Sequence, residues 1–207
     1  MAHKIKVLIA DDHTIVRIGL SALLGTQPDI AVVGEADNGD AAVRESLRLR
    51  PDIVIMDLMM PKKNGVEATK ELHEKAPDIK VIILTSYSSS DGIAHALNAG
   101  ASGAIVKTAD DSSLISAIHK VADGRQFVSP TIRQVMRESP PVPGLTDRQR
   151  EIIESMARGL SNNDIAKQFG ISPTVAREHI TTILNKIGAS NRTEAVAIAL
   201  QKQLLKM

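Results

Sequence analysis

Along the first 122 residues, short apolar runs alternate five times with segments whose apolar positions recur at helical spacing. The runs are Lys6 to Ala10, Ala31 to Glu35, Ile53 to Met56, Val81 to Leu84 and Gly103 to Val106. Each is short and bounded by polar or breaking residues, as expected of strands buried on both faces. Between them, helices are marked by Ile15, Ile18 and Leu23, by Ala42, Val43 and Leu47, and by Val66, Ala68 and Leu72. Ile93, Ala94 and Leu97 mark a fourth, and Leu114, Ile115, Ile118 and Val121 a fifth. Strict alternation predicts an α/β fold, a doubly wound five-stranded parallel sheet with right-handed crossovers. Gly25, Pro28, Gly39, Pro51, Pro77 and Gly100 punctuate the short loops.

The alternation stops at Asp123. A short helix is expected after Pro130, and SPPVPG, Ser139 to Gly144, is a semi-extended linker because its prolines remove amide donors and restrict their predecessors. Beyond it every segment reads as helix. Thr146 and Gln149 form a capping box for a helix through Ile152, Ile153, Met156 and Ala157 that ends at Gly159. Ser161 caps a short second helix, and Phe169 with Gly170 turns the chain. Ser172, followed by Pro173, caps a third helix running through Ala176, Ile180, Ile183, Leu184 and Ile187 to Gly188. A fourth follows Ser190 and Asn191. The expected organisation is therefore an α/β domain over 1–122, a linker over 123–144, and an all-α four-helix domain with a helix-turn-helix over 145–207.

Composition narrows the function classes. With 43% apolar and 24% charged residues in 207, the chain is globular and long enough to bury a core. The start, MAHKIKVLIADD, interrupts its apolar run with an acidic pair, which argues against a signal peptide and for the cytoplasm, away from membranes. Zero cysteines exclude disulfides, thiolate nucleophiles and cysteine metal sites. From Leu145 onward there are 9 basic and 6 acidic residues, net +3, against 16 basic and 18 acidic before it, net −2. A basic tail behind a mildly acidic front suits a polyanionic partner.

The chemistry gathers around PDIVIMDLMMP, Pro51 to Pro61, where Asp57 closes an apolar strand ahead of a turn. Open α/β sheets bind ligands at that carboxyl edge. Asp11 and Asp12 follow the first strand, Thr85 the fourth and Lys107 the fifth, so all share the edge with Asp57. Either acidic residue could instead cap the helix that starts near His13. Three gathered carboxylates repel pairwise by roughly 1 to 4 kcal/mol at 4 Å, and an oxygen-only site with few protein ligands suits Mg2+. A cation, a lysine ammonium and a hydroxyl around one carboxylate are the parts for phosphoryl transfer to it, with Asp57 as nucleophile.

Residues 4 to 122 resemble a response-regulator receiver domain in DDH at Asp11 to His13, MDLMMPKKNG at Met56 to Gly65, LTS at Leu84 to Ser86, and AGASGAIVKT through Lys107. That resemblance implies a sensor histidine kinase as phosphodonor to Asp57. It also implies Mg2+ held by Asp12, Asp57 and the Met59 carbonyl, with Asp11 assisting through water. Three departures stand out. Ala104 occupies the place of the usual switching aromatic, Thr108 replaces a frequent proline so that no cis bond is expected, and Met59 with Tyr87 crowds the site without offering water a base. A long-lived phosphoryl group is expected, with Tyr87 as the substitute switch residue.

From Leu145 onward the chain is similar to the LuxR-type helix-turn-helix of the NarL/FixJ two-component regulators. The resemblance implies a recognition helix that reads double-stranded DNA through Arg177, Glu178 and Thr181, with Asn163, Ser172, His179 and Lys186 on phosphates. Here Val175, Ala176 and Arg177 stand where T-V-K is frequent. It further implies a transcription regulator, not an enzyme acting on outside substrates, that forms a homodimer when phosphorylated. Its last helix would make contacts around Ala195 to Ala199, and half-sites would lie about 34 Å or a multiple apart. Two rival readings are a haloacid-dehalogenase-type phosphatase, whose D-x-D nucleophile on the first strand is not matched here, and a DNA-binding protein with a vestigial receiver.

Overall fold

The computed structural model describes residues 4–86, 90–138, 145–201 and 204–205. Tyr87 and the linker Ser139 to Gly144 lie outside the described residues. The chain divides into two compact units, one ending at Ser139 and one carrying the C-terminal helices.

In the first unit, β1 (Ile5–Ala10), β2 (Ile30–Ala36), β3 (Ile53–Asp57), β4 (Lys80–Thr85) and β5 (Gly103–Val106) alternate with five helices. These are α1 (Thr14–Gly25), α2 (Gly39–Leu49), α3 (Gly65–Lys75), α4 (Ser90–Asn98) and α5 (Asp111–Ala122). All strand pairs are parallel. Successive side chains on a strand point to opposite faces, and the core splits accordingly. Val7, Ile9, Ile53, Ile55, Ile82, Leu84 and Ile105 pack with Leu24 of α1 and Leu114, Ile118 and Val121 of α5. Leu8, Val54, Met56, Val81, Ile83 and Ala104 pack with α2, α3 and α4 through Ala42, Leu72 and Ile93.

Periodicity predicts five strands; the sheet has six, in the order β2-β1-β3-β4-β5-β6. The extra strand β6 (Phe127–Val128) is only two residues long, too short to show alternation, and pairs beside β5. It leads into α6 (Pro130–Glu138), the helix expected after Pro130. Rather than belonging to a free linker, α6 packs against β5 and buries Ile132 completely in the cluster that holds Ala104. The face of α1 also departs from expectation. Ile15 and Ile18 are 86% and 62% exposed, and of the expected face only Leu23 packs inward, together with Val16, Leu20 and Leu24.

The second unit consists of α7 (Asp147–Ala157), α8 (Asn162–Phe169), α9 (Pro173–Ile187) and α10 (Arg192–Gln201). The capping box at Thr146 and Gln149 forms in both directions, Ser161 and Ser172 cap α8 and α9, and Gly170 and Gly188 end them in the left-handed conformation. Ile152, Ile153, Ile165, Ala176, Ile180, Ile183, Ala195 and Ala199 form the core. Two arginines tie its corners. Arg148 lies 4.0 Å over the Phe169 ring and donates to the Phe169 carbonyl at 2.8 Å. Arg192 donates to the carbonyls of Met156 and Leu160, which close the C-terminal end of α7. Charge-assisted bonds to helix-end carbonyls contribute about 1–3 kcal/mol. Arg192→Met is therefore expected to destabilise this unit by that amount, read as faster amide exchange across α7 and α10.

Candidate functional site: an acidic edge and an exposed helix

β1 and β3 are neighbours in register, Ala10 opposite Met56, so the residues that follow them emerge together. β4 and β5 bring Thr85 opposite Val106, and the Lys107 amide donates to the Thr85 carbonyl at 2.7 Å. Asp11, Asp57 and Thr85 are almost fully buried. Lys107 Nζ lies 2.7 Å from Asp11 Oδ2 and 3.0 Å from Asp57 Oδ2, so one ammonium bridges two buried carboxylates. Asp12 and His13 complete the cluster on its exposed side, with ligand atoms of Asp11, Asp12, His13 and Asp57 all within 4.8 Å of one another. Thr85 is brought to the same edge.

The loops are held tightly. A Cβ at Gly65 would strike the carbonyl oxygen of Asp57, so only glycine lets α3 start this close to the end of β3. The Gly65 amide donates to the Leu58 carbonyl at 2.9 Å, and Asn64 and Glu67 form the capping box of α3. Arg17 donates to the Asp11 carbonyl at 2.8 Å and pairs with Glu35. Arg17 and Gly65 are positioning residues that motif reading alone does not single out. Neither acidic residue caps α1. His13 holds the N-cap position, and Asp11 Oδ1 accepts from its backbone amide at 2.9 Å.

Burial pushes the Asp57 carboxyl above the usual aspartate range, against the hydrogen bond and charge of Lys107 and the Met59 amide; the Asp11 charge adds to the rise. Burial also works against the Lys107 ammonium, but its bonds to Asp11 and Asp57 outweigh that and raise it above the ordinary lysine value. Three carboxylates and one ammonium leave two negative charges, which a divalent cation neutralises. Asp11 Oδ2 is buried and accepts no hydrogen bond of good geometry, with Lys107 as its ion-pair partner. These clustered oxygen donors fit Mg2+. The Met59 side chain is 53% exposed beside the site. The structure contains no cis peptide bond among the described residues, as Thr108 leads one to expect.

On α9, Ala176, Ile180, Ile183 and Ile187 face the core, which turns Arg177, Glu178 and Thr181 outward. Asn163 and Ser172 are exposed, and Ser172 Oγ accepts from the Val175 amide at 3.2 Å, leaving its hydroxyl proton free to donate elsewhere. His179 is half-buried. Lys186 is half-buried too and donates to Gln149 Oε1 at 2.9 Å, so it braces the start of α7. Ala195 and Ala199 are wholly in the core, while Ala197 and Leu200 are the outward positions of this stretch of α10.

The shared ammonium makes a stability prediction. Lys107→Met leaves two buried carboxylates without their counter-charge and is expected to cost about 3 kcal/mol. Asp57→Asn removes a charge that burial opposes and is expected to stabilise by about 1 kcal/mol at neutral pH. Because the folded-state value of Asp57 is raised, that gain is complete above it and vanishes as pH falls below the ordinary aspartate value. Urea unfolding across pH measures both.

A model of the response regulator receiver domain matches residues 7–119, and one of the bacterial regulatory proteins of the luxR family matches residues 143–199. The response regulator protein VraR of Staphylococcus epidermidis and that of Staphylococcus aureus are each 38% identical over 207 residues, covering 98% of this chain and 99% of theirs. The crystal structure of ChrA, the response regulator of a heme-sensing two-component system, is 34% identical with a TM-score of 0.59, covering 98% of this chain and 99% of that one. A LuxR-family response regulator from Aurantimonas is 36% identical over 65% of this chain and 96% of its own, with a TM-score of 0.62. RcsB dimers bound to DNA share the fold, with a TM-score of 0.69 at 22% identity over 96% of this chain and 99% of that one.

Proposed function

This chain belongs to the response regulators that join a receiver domain to a luxR-family regulatory domain, and on that premise we propose that Asp57 is its phosphoryl acceptor and α9 its DNA-reading helix. The observation that carries this reading is the Lys107 ammonium set between Asp11 and Asp57 at 2.7 and 3.0 Å. A histidine kinase presents a phosphorylated imidazole, an Asp57 oxygen attacks the phosphorus in line, and the imidazole nitrogen leaves. Lys107, already at the reacting carboxylate, stays paired with the phosphoryl oxygens, and the Thr85 hydroxyl donates to one of them. Mg2+ held by Asp11, Asp12, Asp57 and the Met59 carbonyl would neutralise charge on the transferred group.

Phosphorylation adds up to about two negative charges at a buried edge, which draws Thr85 and Lys107 toward the new group. The ends of β4 and β5 move with them. Ala104 offers no aromatic to report this, but the Ser129 amide donates to the Ala104 carbonyl at 3.0 Å, and Ile132 is buried in the cluster of Ala104 and Ile93. In this reading α6 is the relay, because it ends at Glu138 directly before the segment that leads to the DNA-binding helices. The phosphorylated chain pairs with a second copy in the cytoplasm and binds two half-sites, with Arg177, Glu178 and Thr181 on base edges. Asn163, Ser172, His179 and Lys186 reach phosphates, Lys186 after leaving Gln149. The domain division that serves this scheme keeps the receiver, with β6 and α6 packed on it, and the helix-turn-helix as separate units joined by the chain beyond Glu138.

Incubation with acetyl phosphate and Mg2+ is expected to add one phosphoryl group to the wild type by intact mass and none to Asp57→Asn. The group is expected to persist for minutes or longer, since Met59 supplies no base to activate water. Loss within seconds contradicts the role given to Met59. Ile132→Ala is expected to take up phosphoryl normally yet lose most of the phosphorylation-dependent gain in DNA affinity, measured by fluorescence anisotropy. An undiminished gain removes α6 from the relay.

A further inference from the structure

We propose that Lys63 is a positioning residue for phosphoryl transfer: by tying the loop that follows Asp57 to α2 and α3, it holds the Met59 amide at the Asp57 carboxylate. This rests on the reading that Asp57 accepts the phosphoryl group. The loop contains a strained turn. The Lys63 amide donates to the Pro61 carbonyl at 2.9 Å, and Lys62 between them has a φ of 67°. A hydrogen bond closed around a single left-handed residue is the rarer, strained kind of γ-turn. A lysine keeps such a backbone only where its surroundings over-determine it.

Lys63 supplies that constraint twice. Its carbonyl oxygen accepts from the Gly39 amide at 3.1 Å, and a Cβ on Gly39 would lie 2.2 Å from that oxygen, so the start of α2 sits directly against the turn. Its ammonium reaches Asp40 Oδ1 on α2 at 2.7 Å and Glu71 Oε2 on α3 at 2.5 Å. Glu71 is held in turn by Lys75 at 2.6 Å. An isolated surface pair contributes little, but the Lys63 side chain is only 25% exposed and its two partners stand on different helices. The turn lies between this tether and the site. Met60, just before it, is buried in the core cluster, and the adjoining Met59 amide donates to the Asp57 carboxylate. Releasing Lys63 lets the turn relax, reseats Met60 and moves the Met59 peptide away from Asp57.

The test compares full-length wild type, Lys63→Met, Lys63→Arg and Glu71→Gln in two measurements. The first follows the Met59 amide in metal-free protein by nitrogen-15 correlation spectra. Lys63→Met is expected to move its proton upfield and to speed its exchange with water, while Lys63→Arg keeps both near the wild type. The second follows phosphoryl uptake from acetyl phosphate with Mg2+ by intact mass. Lys63→Met is expected to slow uptake about tenfold, Glu71→Gln to slow it less, and the double variant to be no slower than Lys63→Met alone. Thermal melting by circular dichroism checks the fold, and if Lys63→Met melts early, Glu71→Gln carries the same comparison. Unchanged uptake by folded variants, or slower uptake with the Met59 amide unmoved, overturns the proposal and leaves Asp57 as the acceptor. No uptake by the wild type overturns the reading of Asp57 and the positioning role with it.

Discussion

One ammonium shared between two buried carboxylates is the constraint on which the rest of the first unit turns. Lys107 cannot serve Asp11 and Asp57 at 2.7 and 3.0 Å unless β1, β3 and β5 end at one level, and parallel pairing through β3 and β4 sets that level. The arrangement is poised rather than satisfied. Burial raises Asp57, the neighbouring Asp11 raises it further, and Lys107 offsets part of both. Such a site gains from added positive charge and from any change that reassigns the lysine, and in the proposed function phosphorylation with a divalent cation would supply both.

The surrounding loops convert that electrostatic condition into geometry. Gly65 lets the start of α3 press against the end of β3, and Arg17 holds the loop of Asp11 from the other side. The second unit follows a different logic. Its helices α7, α8 and α9 carry side-chain caps, its core is largely aliphatic, and Arg148 and Arg192 fasten helix ends by donating to carbonyls there. Arg177, Glu178 and Thr181 are outward because Ala176, Ile180 and Ile183 on the same helix are needed inside.

Strands with four or more apolar residues, and helices with side-chain caps, were legible from the sequence because each carries its own local signal. β6 was not, since two residues have no period; its pairing with β5 is decided by tertiary contact. Ile15 and Ile18 misled for a related reason. Helical spacing identifies an apolar face but not which of two overlapping faces meets the sheet, and on α1 the face of Val16, Leu20 and Leu24 wins, with Leu23 common to both. At the acidic edge, the alignment of strand ends was readable from topology. The clash that reserves position 65 for glycine, the Arg17 clamp and the turn of His13 toward the carboxylates needed three dimensions. Ala104 looked like a missing part in the sequence, and the structure fills its surroundings with α6.

In the proposed function, the charge state at Asp57 governs DNA binding. The direct measurement is the affinity of the full-length chain for a duplex selected from random sequence, with and without beryllofluoride, for the wild type and Asp57→Asn. Beryllofluoride is expected to tighten binding by the wild type and to leave Asp57→Asn unchanged. Equal affinities in all four conditions would contradict it and identify a DNA-binding protein whose receiver no longer signals.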